Sequence, residues 1–572
     1  MSVNPSISPV SGGGSSAANT VLDWSDKSSM AIPMPKMATL NFTSITAMPT
    51  TKTDDLHGVL EFTDNNGNSF TKKAIVNAQG NSSLAWAKKN IAIDLCNDEW
   101  IGDDTFAIKF GEWVWQDSFH LKANFVDFFK VVPMVGYDVF KDMQDASSYI
   151  NARSWRQANL EVYGVHQFTE KSTKKDMSLR IDTGALCHPM GFPCIVNLNG
   201  EFYGIYNFML KKHRDNYMMN KKTATHVHID SDKNVNFFVS QDTEFWTNTD
   251  IRNPKNLYAI DGTEFDGDDP KELAGTTEVT SWINSGYLPD GTKVTSKIQG
   301  YLETTAEVKG YISDVVDNFA TLASATTTEA KKAAFDAMFD ANNIIDYMLF
   351  SNYTSNLDGY YKNCQWTTWD GVKWYANPYD LDLLWGTIYH GQAPYVVEQS
   401  ELPTHTNSNL PFKYCKELYS NEIAARYAEL RDCGVFDAKR VIAKVTDYMS
   451  RIGLDAYEAE YDKWTPSCNQ AITWNTGWQL ATDPDTGKPY ESDAYRPSFS
   501  GVTEYVSGTT YSAGDKVIIH HSEASAIWLV AEATTTVSTT PVKTWAFYDS
   551  IERLAYYIET RQDYLDDLYD YS

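Results

Sequence analysis

The chain has 572 residues, room for roughly two to four domains and a large buried core. Its 48 Lys and Arg stand against 75 Asp and Glu, a formal net charge of −27, which excludes the basic footprint of a nucleic-acid binder. No run of about eighteen apolar residues predicts a membrane span, and seven cysteines without zinc spacing read as reduced structural thiols.

Met1 to Thr20 has neither the basic start nor the apolar run of a signal peptide, so a virion or bacterial cytoplasmic location is expected. The Gly/Ser-rich Ser11 to Ala18 reads as a flexible arm, either a disordered tail or a tether in a large assembly. Strands follow between Lys36 and Leu95, at Met37–Phe42, Gly58–Thr63 and Ile91–Leu95, with a turn at Asn65–Asn68. Between the last two lies Gly80-Asn81-Ser82-Ser83, then Lys88 and Lys89. Small residues let backbone N–H groups approach phosphate oxygens, and a lysine on the next strand supplies positive charge. The competing reading is a turn followed by surface lysines.

Phe119 to Asp127 ends in Asn124-x-x-Asp127 and leads into a helix. Cys194 to Tyr206 is a hairpin with an Asn199-Gly200 turn, and Gly204 marks a place where a neighbour comes close. Residues 224–325 read as loop-rich; within them Asp261 to Asp269 is either a calcium loop or a solvated acidic loop. A helix over Glu329 to Tyr353, with a buried stripe at Ala334, Met338, Ile345 and Leu349, delivers the chain to Asp358.

Asp358 stands five residues before Asn363, and Asp380 and Asp382 follow a hairpin turned at Trp369-Asp370-Gly371. Phosphoryl transfer uses such parts: an Asp that orients the attacking hydroxyl, an Asn that holds magnesium, and a later Asp that bridges metal to phosphate. Turn chemistry is the alternative for Asp-x-x-x-x-Asn. In a strand, Asp380 and Asp382 would share a face. Helices are expected over Leu418–Leu430, Asp437–Trp464 and Asp549–Tyr569.

Between the last two helices, Tyr511-x-x-Gly514-Asp515-x-Val517, the strand around Trp528, and Pro541 to Trp545 resemble small carbohydrate-binding modules of chitinases and short β-modules of phage tail fibres. Tyr511, Trp528 and Trp545 could stack on sugar faces or form the module's own small core. Trp464, Trp474 and Trp478 are candidates to support the same surface.

The run Asn342 to Phe350, then Asp358, Asn363, Trp374 and Pro378 to Asp382, together with the Gly80–Lys89 loop and the Asn199-Gly200 hairpin, resembles the spore-coat protein H (CotH) kinase family. The resemblance implies an α+β, atypical protein-kinase-like core that uses ATP and Mg²⁺ to phosphorylate serine in coat proteins. It places Gly80, Asn81, Ser82, Ser83, Lys88 and Lys89 at the nucleotide, Lys89 and Asp358 in catalysis, and Asn363, Asp380 and Asp382 at the metal. Two departures stand out: no Arg follows within Phe128 to Tyr137, and Leu210, Lys211 and Lys212 occupy the place of a strand-end Glu that pairs with the ATP lysine or a metal.

The expected layout is an arm over 1–32, a β-rich part of the core over 33–223, a loop-rich insertion over 224–325 and a helical part over 326–495. An inserted all-β module over 496–547 and a last core helix over 548–572 complete it. Two functions follow. One is a CotH-like kinase, active or catalytically degenerate, acting on a protein substrate within a phage or surface assembly. The other is a non-catalytic virion or tail protein that binds host cell-surface glycan.

Overall fold

Alternate residues of the first long strands are apolar, and the chain rolls those strands into a barrel around that face. The computed structural model describes residues 28–100, 106–146, 189–231, 249–387, 410–464 and 551–572, apart from 112, 114, 115, 126, 128, 213, 218, 220–222, 266–271, 357, 361 and 362, together with parts of 470–549. Strand β1 (Ser28–Ile32) precedes β2 (Ala38–Thr43), β3 (Leu56–Asp64), β4 (Ser69–Gln79) and β5 (Asn90–Cys96). Then come β6 (Phe106–Phe110), β7 (Ser118–Lys122), β8 (Gly191–Leu198) and β9 (Glu201–Leu210). The barrel closes in the order β2-β3-β4-β5-β7-β9-β8, and β1 pairs with β6 beside it.

Turn chemistry sets the registers. Asn199 and Gly200 both have positive φ, 51° and 85°, and join β8 to β9 with Leu198 opposite Glu201. At the β3–β4 turn the Asp64 carboxylate accepts from the N–H groups of Asn66 and Asn68. Leu40, Phe62, Val76, Ile91, Ile93, Phe119, Leu121 and Phe208 fill the barrel. On β7 and β9 the alternate residues, His120, Lys122, Asn207 and Met209, therefore face outward.

That outer face packs on a second body. Just before helix α1 (Val132–Asp145), the Asp127 carboxylate accepts from the N–H groups of Phe129 and Val132, the latter at the helix's first residue. Strands β10 (Val227–Ser231) and β11 (Thr249–Asn253) and the short pair β12 (Leu257–Tyr258) and β13 (Glu264–Phe265) follow. The four-stranded sheet runs β11-β10-β14-β15, with β14 (Cys364–Thr368) and β15 (Tyr375–Pro378) forming the expected hairpin.

Within 224–325, expected to be loop-rich, the described residues carry α2 (Thr276–Ser285) and the 29-residue α3 (Ser296–Ser324), both amphipathic. The helix expected over 329–353 is two helices, α4 (Thr328–Met338) and α5 (Ala341–Thr354). The break comes at Asp340, whose side chain accepts from Asn343 N–H and starts the second helix. Every residue of α5 from Asn343 to Thr354 is buried, so this helix is the axis of the second body. Helix α6 (Leu410–Leu418) precedes α7 (Ser420–Asp432), which is the helix expected over Leu418–Leu430. Gly453, at φ 86°, separates α8 (Ala438–Ile452) from α9 (Leu454–Lys463). Arg426 of α7 ties the body together, pairing with Asp346 at 2.9 Å and donating to Met143 O at the end of α1.

Further along, a five-stranded sheet assembles Gln470–Ile472, Thr503–Glu504, Lys516–His520, Trp528–Ala533 and Trp545–Asp549. The first of these precedes 496, so the β-structure draws on more chain than the expected module. The last helix, α10 (Ile551–Leu568), returns to α5, where Arg561 Nε donates to Asn352 O at 2.7 Å. The architecture is α+β, as the sequence predicts.

Candidate active site

The end of α5 places Asp358. Ser355 ends the helix with φ 54°, and Asn356 N–H returns to Ser351 O. Asp358 opens a short 3₁₀ turn to Tyr360 that is fixed at both faces of Gly359: Asn356 Oδ1 accepts its N–H at 3.1 Å, and Tyr347 Oη donates to its carbonyl at 2.8 Å. The side chain of Asp358 lies outside the described residues.

The loop after β15 returns to Asn363, which follows this turn. Tyr379 N–H donates to Asn363 O, and Asn363 Nδ2 lies 3.4 Å from Asp380 O. Strand β15 ends at Pro378 and Asp380 has φ 54°, so Asp380 and Asp382 are not strand neighbours sharing a face. Asp380 itself, in the left-handed region, turns the chain there instead. Tyr137 of α1 accepts from Asp380 N–H at 3.1 Å. Gly136 makes the approach possible, since a Cβ there would lie 3.0 Å from Leu381 Cδ1.

Lys122 of β7 meets this loop from the barrel. Its Nζ is 3.1 Å from Asp380 Oδ1, joining residues 258 apart. Burial alone would lower its pKa, but Asp380, Tyr379 and Asp382 together hold it above the ordinary lysine value. Lys212, just after β9, lies over the Tyr379 ring at 4.3 Å, and Lys122 lies over the same ring at 5.4 Å. Lys212 pairs with Asp230 of β10, which also accepts from Gln365 of β14 and from Arg252 of β11 at 3.3 Å. Burial works against the Asp230 carboxylate, yet Lys212 and Arg252 bring it down to about 2. Lys211 pairs with Asp94 at 2.6 Å.

The glycine loop is built as a tight turn. Gly80 has φ 110° and leads into a 3₁₀ turn over Ser82–Ala85, while Asn81 Oδ1 accepts from Lys52 at 2.6 Å. The two lysines after it have different surroundings. Lys89 Nζ donates to the carbonyls of Leu84 and Trp86 and so braces the loop. Lys88 is buried, pairs with Glu460 of α9 at 2.7 Å and donates to Ile205 O. Burial brings the Lys88 ammonium down to about 8 against the pull of Glu460. The other Glu460 oxygen accepts from Ile205 N–H at 2.7 Å. Pairing of β7 with β9 stops at Asn207, so this ion pair satisfies the strand edge beyond it. Trp464 Nε1 extends the same contact to Tyr203 O, which places Trp464 on the barrel. A Cβ at Gly204 would lie 2.7 Å from Lys88 Cε, the close approach expected there.

A family model described as CotH kinase protein matches residues 76–480. The chain belongs to the CotH kinase family. The match reaches from β4 past α9 and includes Lys88, Lys122, Asp358, Asn363, Asp380, Asp382 and Glu460. No curated protein matches the chain.

Magnesium takes hard oxygen ligands, keeps several waters, and is often held by one or two carboxylates plus substrate phosphates. Asp380 and Asp382 with the Asn363 amide oxygen fit that donor chemistry. Among the described residues, no group of three or more His, Cys, Asp or Glu forms a self-sufficient metal cage. Nor is any helix among them long and apolar enough to cross a membrane. Of the three candidate glycan-stacking residues, Tyr511 is buried and its hydroxyl accepts from Val506 N–H at 2.8 Å. The side chains of Trp528 and Trp545 lie outside the described residues, as do Trp474, Trp478 and part of the acidic 261–269 loop.

Lys122, Lys212, Asp230 and Glu460 escaped the reading of the sequence. The signal for Lys122 was present, since Phe119 and Leu121 point into the barrel and leave His120 and Lys122 on the opposite face. Glu460 had none, because one carboxylate on a helix rich in Glu and Asp looks like any solvent-facing charge.

Proposed function

We propose that the protein is a metal-dependent phosphotransferase that moves a phosphoryl group from ATP to a hydroxyl of a protein acceptor in a phage or surface assembly. The ion pair between Lys122 and Asp380 carries this reading, because it brings a barrel cation against the loop that would hold the metal. Lys122 would hold phosphate oxygens, Asn363, Asp380 and Asp382 would hold Mg²⁺, and Asp358 would orient the acceptor hydroxyl. Bound magnesium supplies charge neutralisation on the phosphoryl group. The paired Lys88 and Glu460 would fix the strand edge behind the glycine loop of Gly80, Asn81, Ser82 and Ser83, while Lys89 braces that loop. The hydrogen-bonded turn at Gly359 would hold Asp358 in place.

The test is transfer of label from γ-labelled ATP with Mg²⁺ to the protein itself or to Ser-containing acceptor proteins. Label in the wild type that is lost in Asp358→Asn supports the reading. Absence of transfer together with absence of nucleotide binding sinks it and leaves the non-catalytic virion or glycan-binding role.

A further inference from the structure

Lys122 is flanked by two buried polar atoms that have no partner. His120, two residues earlier on the same face of β7, is 7% exposed, and its Nδ1 makes no hydrogen bond. Asn207, directly opposite Lys122 on β9, is fully buried; its Oδ1 accepts from Asn124 Nδ2, and its own Nδ2 has no partner. An unsatisfied buried polar atom is costly, and these two lie beside Lys122, the cation that meets the Asp380 loop. Lys211, Lys122, Lys212 and Arg252 all press electrostatically on the imidazole, which burial and these cations hold neutral. A neutral imidazole can present its Nδ1 as an N–H donor.

Charge in the cleft narrows the ligand's chemistry. Each of those four cations is already paired with a carboxylate: Lys122 with Asp380, Lys211 with Asp94, Lys212 with Asp230 and Arg252 with Asp250. Asp382 adds a further negative charge within reach of Lys122. A bare polyanion therefore finds donors but no excess of positive charge, whereas a polyphosphate that carries its own divalent cation meets both needs.

We propose that His120 Nδ1 and Asn207 Nδ2 are phosphate-contacting donors which, with Lys122, bind the polyphosphate chain of a magnesium-complexed ligand. The inference rests on the phosphotransferase reading and adds two contact residues and a requirement for the metal complex.

Calorimetric titration of the full chain with tripolyphosphate, with Mg²⁺ and with EDTA, tests it beside Mg·ATP. Binding of tripolyphosphate is expected with Mg²⁺ and not with EDTA. His120→Phe and Asn207→Leu should each weaken it at least about tenfold, as loss of a hydrogen bond to a charged ligand does. His120→Phe should not lower the melting temperature of the ligand-free protein, because it removes an unsatisfied polar atom, whereas Asn207→Leu also removes the acceptor of Asn124 Nδ2 and is read by its affinity beside Asn207→Asp, which keeps that acceptor and loses only the donor. A packing role alone would instead lower the melting temperature and leave affinity unchanged. His120→Asn, which keeps a donor, should bind better than His120→Phe. The His120 ring nitrogen signals of the wild type should shift on adding Mg·tripolyphosphate, a readout that needs no variant to fold. Unchanged signals, or wild-type affinity in both variants while Mg·ATP still binds, would overturn the proposal and leave the phosphotransferase reading standing. Failure of both Mg·ATP and Mg·tripolyphosphate to bind would remove both.

Discussion

Lys88 and Glu460 lie 372 residues apart in sequence and 2.7 Å apart in space, each almost wholly buried, and between them they take both backbone groups of Ile205. The barrel and the C-terminal helices are thus joined through a charged pair at the place where β9 loses its neighbour. Removing one partner of such a pair leaves an uncompensated charge and costs about 3–5 kcal/mol. Lys88→Met and Glu460→Leu should each destabilise to that degree in urea unfolding. The double variant should be less destabilised than the two losses added together, by about 1–3 kcal/mol. It should not recover fully, since Ile205 N–H and C=O remain unpaired. Strict additivity would show that the pair is not coupled.

Lys122 competes with any cation for Asp380. Lys122→Met should therefore raise the affinity for free Mg²⁺ roughly three- to tenfold, as removal of a nearby positive charge does. The same change should lower the affinity for Mg·ATP, because a phosphate ligand loses its ammonium. Titration with each ligand separates the two effects, and a change in the same direction for both would contradict this placement.

The turn at Gly359 has no room for a side chain, with a Cβ only 2.8 Å from Tyr347 Oη. Gly359→Ala should destabilise by about 1–3 kcal/mol through overpacking. It should also reduce phosphoryl transfer more than it reduces nucleotide affinity, since Asp358 sits on that turn. Tyr347→Phe, which removes one hydrogen bond, should cost about 1 kcal/mol. Equilibrium unfolding measures both.

Asp230 gives the cleft a defined response to acid. Its carboxyl falls from 3.8 to about 2 on folding, so between those values the unfolded chain binds the extra proton. Stability from this group is complete above about pH 4 and is lost as pH falls towards 2, a loss of about 2 kcal/mol. Asp230→Asn should flatten that part of the stability–pH curve. An unchanged slope would show that Lys212 and Arg252 do not hold this charge.

Local signals were legible in the sequence. The Asn199-Gly200 turn, the hairpin after Asn363 and the glycine turn at Gly80 depend on a few consecutive residues. The helix breaks at Asp340 and Gly453 are not legible in the sequence because apolar periodicity continues across them, and only the Asp340 cap on Asn343 N–H and the positive φ of Gly453 show the interruption. The partners of the site were hidden for a different reason. Lys122 meets Asp380, and Lys88 meets Glu460, only after the barrel closes and α9 docks on it. Lys211 and Lys212 at the end of β9 read as the loss of a carboxylate, but the structure pairs them with Asp94 on β5 and Asp230 on β10. Tandem basic residues at a strand end do not reveal which neighbouring strand will carry their counter-charge.

Thermal melting with and without ATP and Mg²⁺, in the wild type and in Asp382→Ala, tests the phosphotransferase account most directly. A ligand that binds only the folded protein at about a hundred times its dissociation constant adds about 2.7 kcal/mol of stability. The account predicts a clear upward shift in the wild type that Asp382→Ala abolishes while its ligand-free melting temperature stays close to the wild type's. No shift at millimolar Mg·ATP, or an equal shift in both proteins, would contradict it.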